Sequence, residues 1–127
     1  MKKAIEETKK ITNEAGDIRV SEKVIASVAK TAVVEVEGVV GIADEELKIN
    51  SIIDKYLNMN KKGEAGIKVD VKDNAELSLE IHVVLKYGAN LIDIAKNIQE
   101  KVKDAVESIV GMHVIDVDVH VDEIETE

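Results

Sequence analysis

Between residues 75 and 121 the chain spells out a strand, a helix and a strand with very little in between. ELSLEIHVVLKYG, from Glu76, alternates apolar and polar side chains. NLIDIAKNIQEKVKDAVESIVG, from Asn90, repeats its apolar residues at helical spacing and closes on glycine. MHVIDVDVHV, from Met112, alternates again. Connections this short leave the helix as the only crossover, so the two strands lie parallel, as neighbours or nearly so. This βαβ unit demands a sheet with at least one face covered by helix.

The unit also predicts which side chains point inward. On the first strand Leu77, Leu79, Ile81, Val83, Leu85 and Tyr87 share one face, and Glu76, Ser78, Glu80, His82, Val84 and Lys86 the other. On the helix Leu91, Ala95, Ile98, Val102, Ala105 and Ile109 form an inward stripe, widened by Ile94 and Val106. Asn90 with Asp93 has the spacing of an N-cap, and Gly111 is the C-terminal stop. On the last strand Ile115, Val117, Val119 and Val121 are expected on the core face. Val114, Asp116, Asp118, His120 and Asp122 are expected on the opposite face.

Upstream, the chain reads as a smaller echo of this unit. Gly16 introduces a short strand with Ile18 and Val20 on one face, and Ser21 then caps a helix. Val24, Ile25, Val28, Ala29, Ala32, Val33 and Val36 make its apolar stripe, and Gly38 is expected at its C′ position. VVGIA, residues 39–43, is a short strand. In the acidic middle segment, residues 44–62, Ser51 and Asp54 cap a short helix carrying Ile52, Ile53, Tyr56 and Leu57. Ile67, Val69 and Val71 alternate along a further strand, and Asp73–Asn74 turn it into a hairpin with the strand from Glu76.

The resulting fold class is α+β. It has two layers, a small mixed β-sheet with the two main helices packed on one face, in the order β-α-β-(short α)-β-β-α-β. Residues 1–15 read as a mobile N-terminal arm, 16–122 as a single domain, and 123–127 as a loose acidic tail.

Composition removes several functions. The net charge of −9 repels phosphate backbones and anionic lipid headgroups, which argues against nucleic-acid or membrane-surface binding. Arg19 is the sole arginine, so arginine clusters for bidentate anion recognition are excluded. Tyr56 and Tyr87 are the only aromatic residues, too few for a base-stacking platform. The absence of cysteine removes disulfides, thiol redox chemistry and thiolate metal sites. No apolar run approaches the ~20 residues of a membrane span. The polar N-terminus, MKKAIEETKK, has no signal-peptide core, and the expectation is a cytoplasmic chain without direct membrane insertion.

One constellation carries potential chemistry. Asp116, Asp118, His120 and Asp122 share a strand face, with His82 and Glu80 adjacent if the strands are neighbours. Carboxylates and imidazoles are metal ligands, so a metal-binding protein using this face is an alternative reading. A solvated sheet face produces the same alternation without a ligand, and on that ground no metal ligand is assigned. His113 reads as a strand-edge residue. The pairs Glu6–Glu7 and Glu45–Glu46 read as surface charge, because general acid/base catalysis needs a carboxylate held at fixed geometry. Gly38 and Gly41 lack the remaining residues of a phosphate or dinucleotide loop. Ser21, Ser27, Ser51, Ser78 and Ser108 lack the context of a nucleophile elbow. Hence no catalytic residue and no cofactor site is assigned, and the chain reads as non-enzymatic.

Two segments together carry a resemblance. One runs GDIRVSEKVIASVAK from Gly16 and continues to Glu37-Gly38-Val39-Val40-Gly41. The other runs VLKYGANLIDIAKNIQEKV from Val84 and continues through Val110-Gly111-Met112-His113-Val114 to Val117–Val121. This distributed pattern over residues 16–121 resembles the alkaline-shock protein family of Gram-positive bacteria, general stress and envelope-stress-response proteins. The resemblance implies a small, cytoplasmic, non-enzymatic protein of cell-envelope homeostasis, held at the membrane through a membrane-embedded partner. It brings no catalytic residues, and leaves Gly16, Ser21, Gly38, Tyr87, Gly88, Asn90 and Gly111 as structural positions. The expected role is a scaffold or adaptor that self-associates as a homo-oligomer and docks on a membrane protein. A small-ligand sensor domain is a further alternative, by fold analogy alone.

Overall fold

A computed structural model describes residues 8–43, 66–72 and 75–126. Its elements are β1 (Thr8–Asn13), β2 (Gly16–Ser21), α1 (Glu22–Val34), β3 (Val39–Ile42), β4 (Ile67–Lys72), β5 (Glu76–Lys86), α2 (Leu91–Ile109) and β6 (His113–Glu125). The short helix expected from Ser51 and the Asp73–Asn74 turn lie outside the described residues.

β5 is the axis of the main sheet. β6 runs parallel along its whole length on one side, as the short βαβ connections require. The other side is shared. β4 pairs antiparallel with residues 76–81 of β5, and β3 pairs antiparallel with residues 83–85. The change of partner falls at His82. Its N–H donates to the Gly66 carbonyl and its carbonyl accepts from the Ala43 N–H, both at 2.8 Å.

Both helices cover one face of this sheet. Ile25, Ala29, Ala32 and Val33 of α1, with Val36 just beyond it, and Ile94, Ile98, Val102 and Val106 of α2 pack on Leu77, Leu79, Ile81, Val83 and Leu85. Every buried residue among those described is apolar. The expected caps form: Ser21 Oγ accepts from the Val24 N–H at 3.3 Å, and Asn90 Oδ1 from the Asp93 N–H at 3.1 Å. At the other end of α2, the Glu107 carboxylate accepts from the Val114 N–H at 2.9 Å.

Several expectations need correction. The arm expected over residues 1–15 contains β1, which pairs antiparallel with β2 in a separate two-stranded sheet. Its turn is organised locally: Asn13 Oδ1 accepts from the Ala15 N–H, Thr12 donates to Asp17, and Gly16 takes a positive φ. The tail expected to be loose is strand through Glu125, because Glu123, Ile124 and Glu125 pair with Val84, Leu85 and Lys86. α1 stops at Val34 with Glu35 as its C-cap, short of Gly38. Glycine is needed at Gly38 because its φ is +99° and a Cβ would meet Ile94 Cδ1 at 2.6 Å.

On β6, Val114 and Ile115 exchange their expected faces. Val114 pairs with Leu77 and is buried, whereas Ile115 is 44% exposed. Ser78 pairs with Asp116, so Ile115 is an extra residue in a bulge and the alternation restarts after it. Tyr87, expected on the core face, lies past the end of β5 and is 72% exposed.

Candidate functional site

The face of the sheet away from the helices carries the polar half of the strand alternation. Register sets which side chains meet there: Ser78 lies opposite Asp116, Glu80 opposite Asp118, and His82 opposite His120. Lys68 of β4 lies opposite Glu80 on the other flank. A second bulge at Asp122 ends this regular pairing, since Val121 pairs with Val83 and Glu123 with Val84.

The centre of the site is His82. Its Nδ1 lies 3.0 and 3.2 Å from the two carboxylate oxygens of Asp122, and its Nε2 lies 2.8 Å from Glu80 Oε2. An ionised carboxylate only accepts hydrogen bonds, so both bonds form together when both ring nitrogens carry protons. His82 is then an imidazolium held between two carboxylates. The ring of His120 stacks on it with centroids 4.4 Å apart and planes 17° from parallel. His120 Nε2 also approaches Glu80 Oε2, at 3.9 Å.

The protonation equilibria follow from these contacts. Partial burial pushes the His82 pKa down, but the hydrogen bonds from Glu80 and Asp122 and the charges of both outweigh it, and the net shift is upward. The hydrogen bond from His82 is the main cause that lowers the Glu80 pKa, with the charges of Lys68 and His120 acting in the same direction.

Of the residues singled out in sequence, Glu80, His82, His120 and Asp122 come together. One ligand atom each from Glu80, His82 and His120 lie within 4.8 Å of one another, a set able to hold a metal ion. Asp116 and Asp118 sit further along the same face, in a polar trough with Lys68, Asp70 and Ser78. His113 stands apart at the start of β6, its Nδ1 3.1 Å from the Glu107 carboxylate. The Glu6–Glu7 and Glu45–Glu46 pairs lie outside the described residues.

Sequence reasoning missed Gly66. At φ +83° it packs so closely on Ile42 and the Ala43 carbonyl that a Cβ would overlap both. It thereby lets β4 and β3 share one edge of β5 at His82. A signal for this junction was available: β5 has 11 residues and β4 only 6, so part of that edge needed a second strand.

Comparison with known proteins places these elements in a recognisable group. A family model for the alkaline-shock proteins, described as having a cell envelope-related function, matches residues 10–126. The chain is 34% identical over 118 residues to the uncharacterised protein Spy1614 of Streptococcus pyogenes, covering 92% of this chain and 94% of that one. It is 32% identical over 107 residues to the uncharacterised protein YloU of Bacillus subtilis, covering 84% and 86% respectively. A second Streptococcus pyogenes protein, the uncharacterised Spy1535, is 27% identical over 116 residues, covering 91% and 84%. No solved structure matches the chain significantly.

Proposed function

This chain belongs to the alkaline-shock family of cell envelope-related proteins, and from that membership we propose that it is a non-catalytic scaffold or adaptor. In this role it self-associates and docks from the cytoplasmic side on a membrane-embedded protein partner. The observation that carries the reading is the family match over residues 10–126, which spans both helices and the whole sheet.

Three features support it. Every buried side chain described is apolar, so the interior is given over to packing. No helix among the described residues is long and apolar enough to cross a membrane, which leaves contact with the envelope to a partner in this reading. The outer edge of β3 has no strand partner among the described residues, and such an edge accepts a further strand by β-augmentation. Exposed Val40 on β3 adds apolar surface there.

Sedimentation velocity over a range of concentrations, combined with crosslinking and affinity capture from solubilised membranes, tests the proposal. Concentration-dependent association and reproducible recovery of one membrane protein are expected. A chain that stays monomeric throughout and recovers no membrane protein would overturn it.

A further inference from the structure

We propose that Glu80, His82 and His120 form a binding site for one divalent transition-metal ion of the Zn²⁺ class. The inference rests on the β5–β6 face and is independent of the envelope role.

Register makes the site. His82 and His120 are direct partners on adjacent parallel strands, and Glu80 lies two residues before His82 on the same face. Both imidazoles bring Nε2 toward one carboxylate oxygen, Glu80 Oε2, at 2.8 and 3.9 Å. Donor atoms around a tetrahedral zinc, with bonds of ~2.0–2.1 Å, are spaced ~3.4 Å apart. The two separations from Glu80 Oε2 bracket that value, and all three donor atoms lie within 4.8 Å of one another. Because the imidazoles are stacked, the half-exposed His120 ring must turn out of the stack for its nitrogen lone pair to converge on the ion. Two imidazole nitrogens and one carboxylate oxygen select Zn²⁺, Co²⁺, Ni²⁺ or Cu²⁺ over Mg²⁺ and Ca²⁺, which prefer oxygen donors. Water completes the coordination.

Asp122 supplies the outer support that a metal-binding histidine needs. It accepts from His82 Nδ1–H at 3.0 Å, which orients the ring and leaves Nε2 as the coordinating atom. The backbone of His82 is held from both sides by Gly66 and Ala43, so the ligand at the centre of the set is anchored before an ion arrives. Asp118, opposite Glu80, adds negative charge nearby, and Lys68 on the other flank opposes it. With no ion present the same donors hold a proton between His82 and Glu80. Binding exchanges that proton for the metal and keeps the Asp122 bond.

The test uses the full chain, stripped with chelator and dialysed. Calorimetric titration with Zn²⁺ and absorption spectroscopy with Co²⁺ are expected to show one saturable ion per chain. Imidazole NMR signals of His82 and His120 are expected to shift while those of His113 do not. His82→Gln and His120→Gln should each weaken binding by more than tenfold. Asp122→Asn should weaken it by about tenfold, the lower end for losing an outer-shell carboxylate. Asp116→Asn should leave it unchanged. The His120 side chain is 48% exposed, so His120→Gln tests the site without endangering the fold. No saturable binding, equal binding of Mg²⁺, or binding that survives both histidine substitutions would overturn the proposal.

Discussion

His82 and His120 face each other across the parallel β5–β6 pair, their rings stacked at 4.4 Å, and only His82 is clamped at both nitrogens by carboxylates. One histidine of the pair is thus fixed in orientation, while its partner remains half-exposed. This asymmetry gives the wet face of the sheet a defined electrostatic centre, and it makes the chain's stability depend on pH.

The His82 pKa is raised above its ordinary 6.5, so its contribution is complete below that value and is lost as pH rises through the folded-state pKa. The Glu80 pKa is lowered below its ordinary 4.5, so its contribution is present above that value and is lost as pH falls through the folded-state pKa. In chelator-containing buffer, the stability difference between the native chain and Glu80→Gln should be greatest between those two values. It should shrink on either side. Urea denaturation across this pH range measures it, and a flat difference would remove the clamp from the account.

Glu107 makes a second, separate prediction. Its pKa is lowered chiefly by the hydrogen bond from the Val114 N–H, aided by Lys103 and His113. A depressed carboxylate stabilises the fold above its ordinary pKa of 4.5, and this is lost as pH falls through the folded-state value. The Val114 amide resonance should titrate with a midpoint below 4.5, and Glu107→Gln should abolish that titration. A midpoint at or above the ordinary value would show that the tie between α2 and β6 does not persist in solution.

At Gly66, substitution by alanine imposes both a strained backbone and an overlap with Ile42 and Ala43. The expected loss is ~2–4 kcal/mol. Gly16→Ala has positive-φ strain but open space around the new methyl group, and should cost only ~1 kcal/mol. Equal losses in denaturant titrations would mean that crowding at the β3–β4 junction contributes nothing.

Two of the four isoleucines of α2, Ile92 and Ile98, separate packing from composition. Ile98 is fully buried against the sheet, and Ile98→Ala should destabilise by ~2–5 kcal/mol. Ile92 is 64% exposed, and Ile92→Ala should change stability by less than ~0.5 kcal/mol. Comparable effects from the two substitutions would contradict the placement of α2.

Much of this fold was legible in sequence because period and punctuation are local properties. The caps at Ser21 and Asn90, the inward Ile94, Ile98, Val102 and Val106 of α2, and the alternation from Leu77 to Val83 appear as expected. By contrast Ile109, expected inward, is 69% exposed, and Val84, expected on the polar face, is buried. β1 was not legible, since Thr8–Asn13 has few apolar residues and its strand is defined by pairing with β2. The bulges at Ile115 and Asp122 were not legible either, because an extra residue in a strand is visible only against its partner.

The candidate site divides in the same way. Alternation by itself determined that Glu80 and His82 share one strand face, and that Asp116, Asp118, His120 and Asp122 share another, since successive side chains on a strand point to opposite sides. It also determined an α+β chain with an aliphatic core. Only the tertiary structure decided that His82 lies against His120, with Asp122 on one ring nitrogen and Glu80 on the other. That outcome depends on the register between β5 and β6, which is set by how α2 returns the chain and where the bulges fall. Register is a property of two strands together, and neither strand's sequence contains it alone.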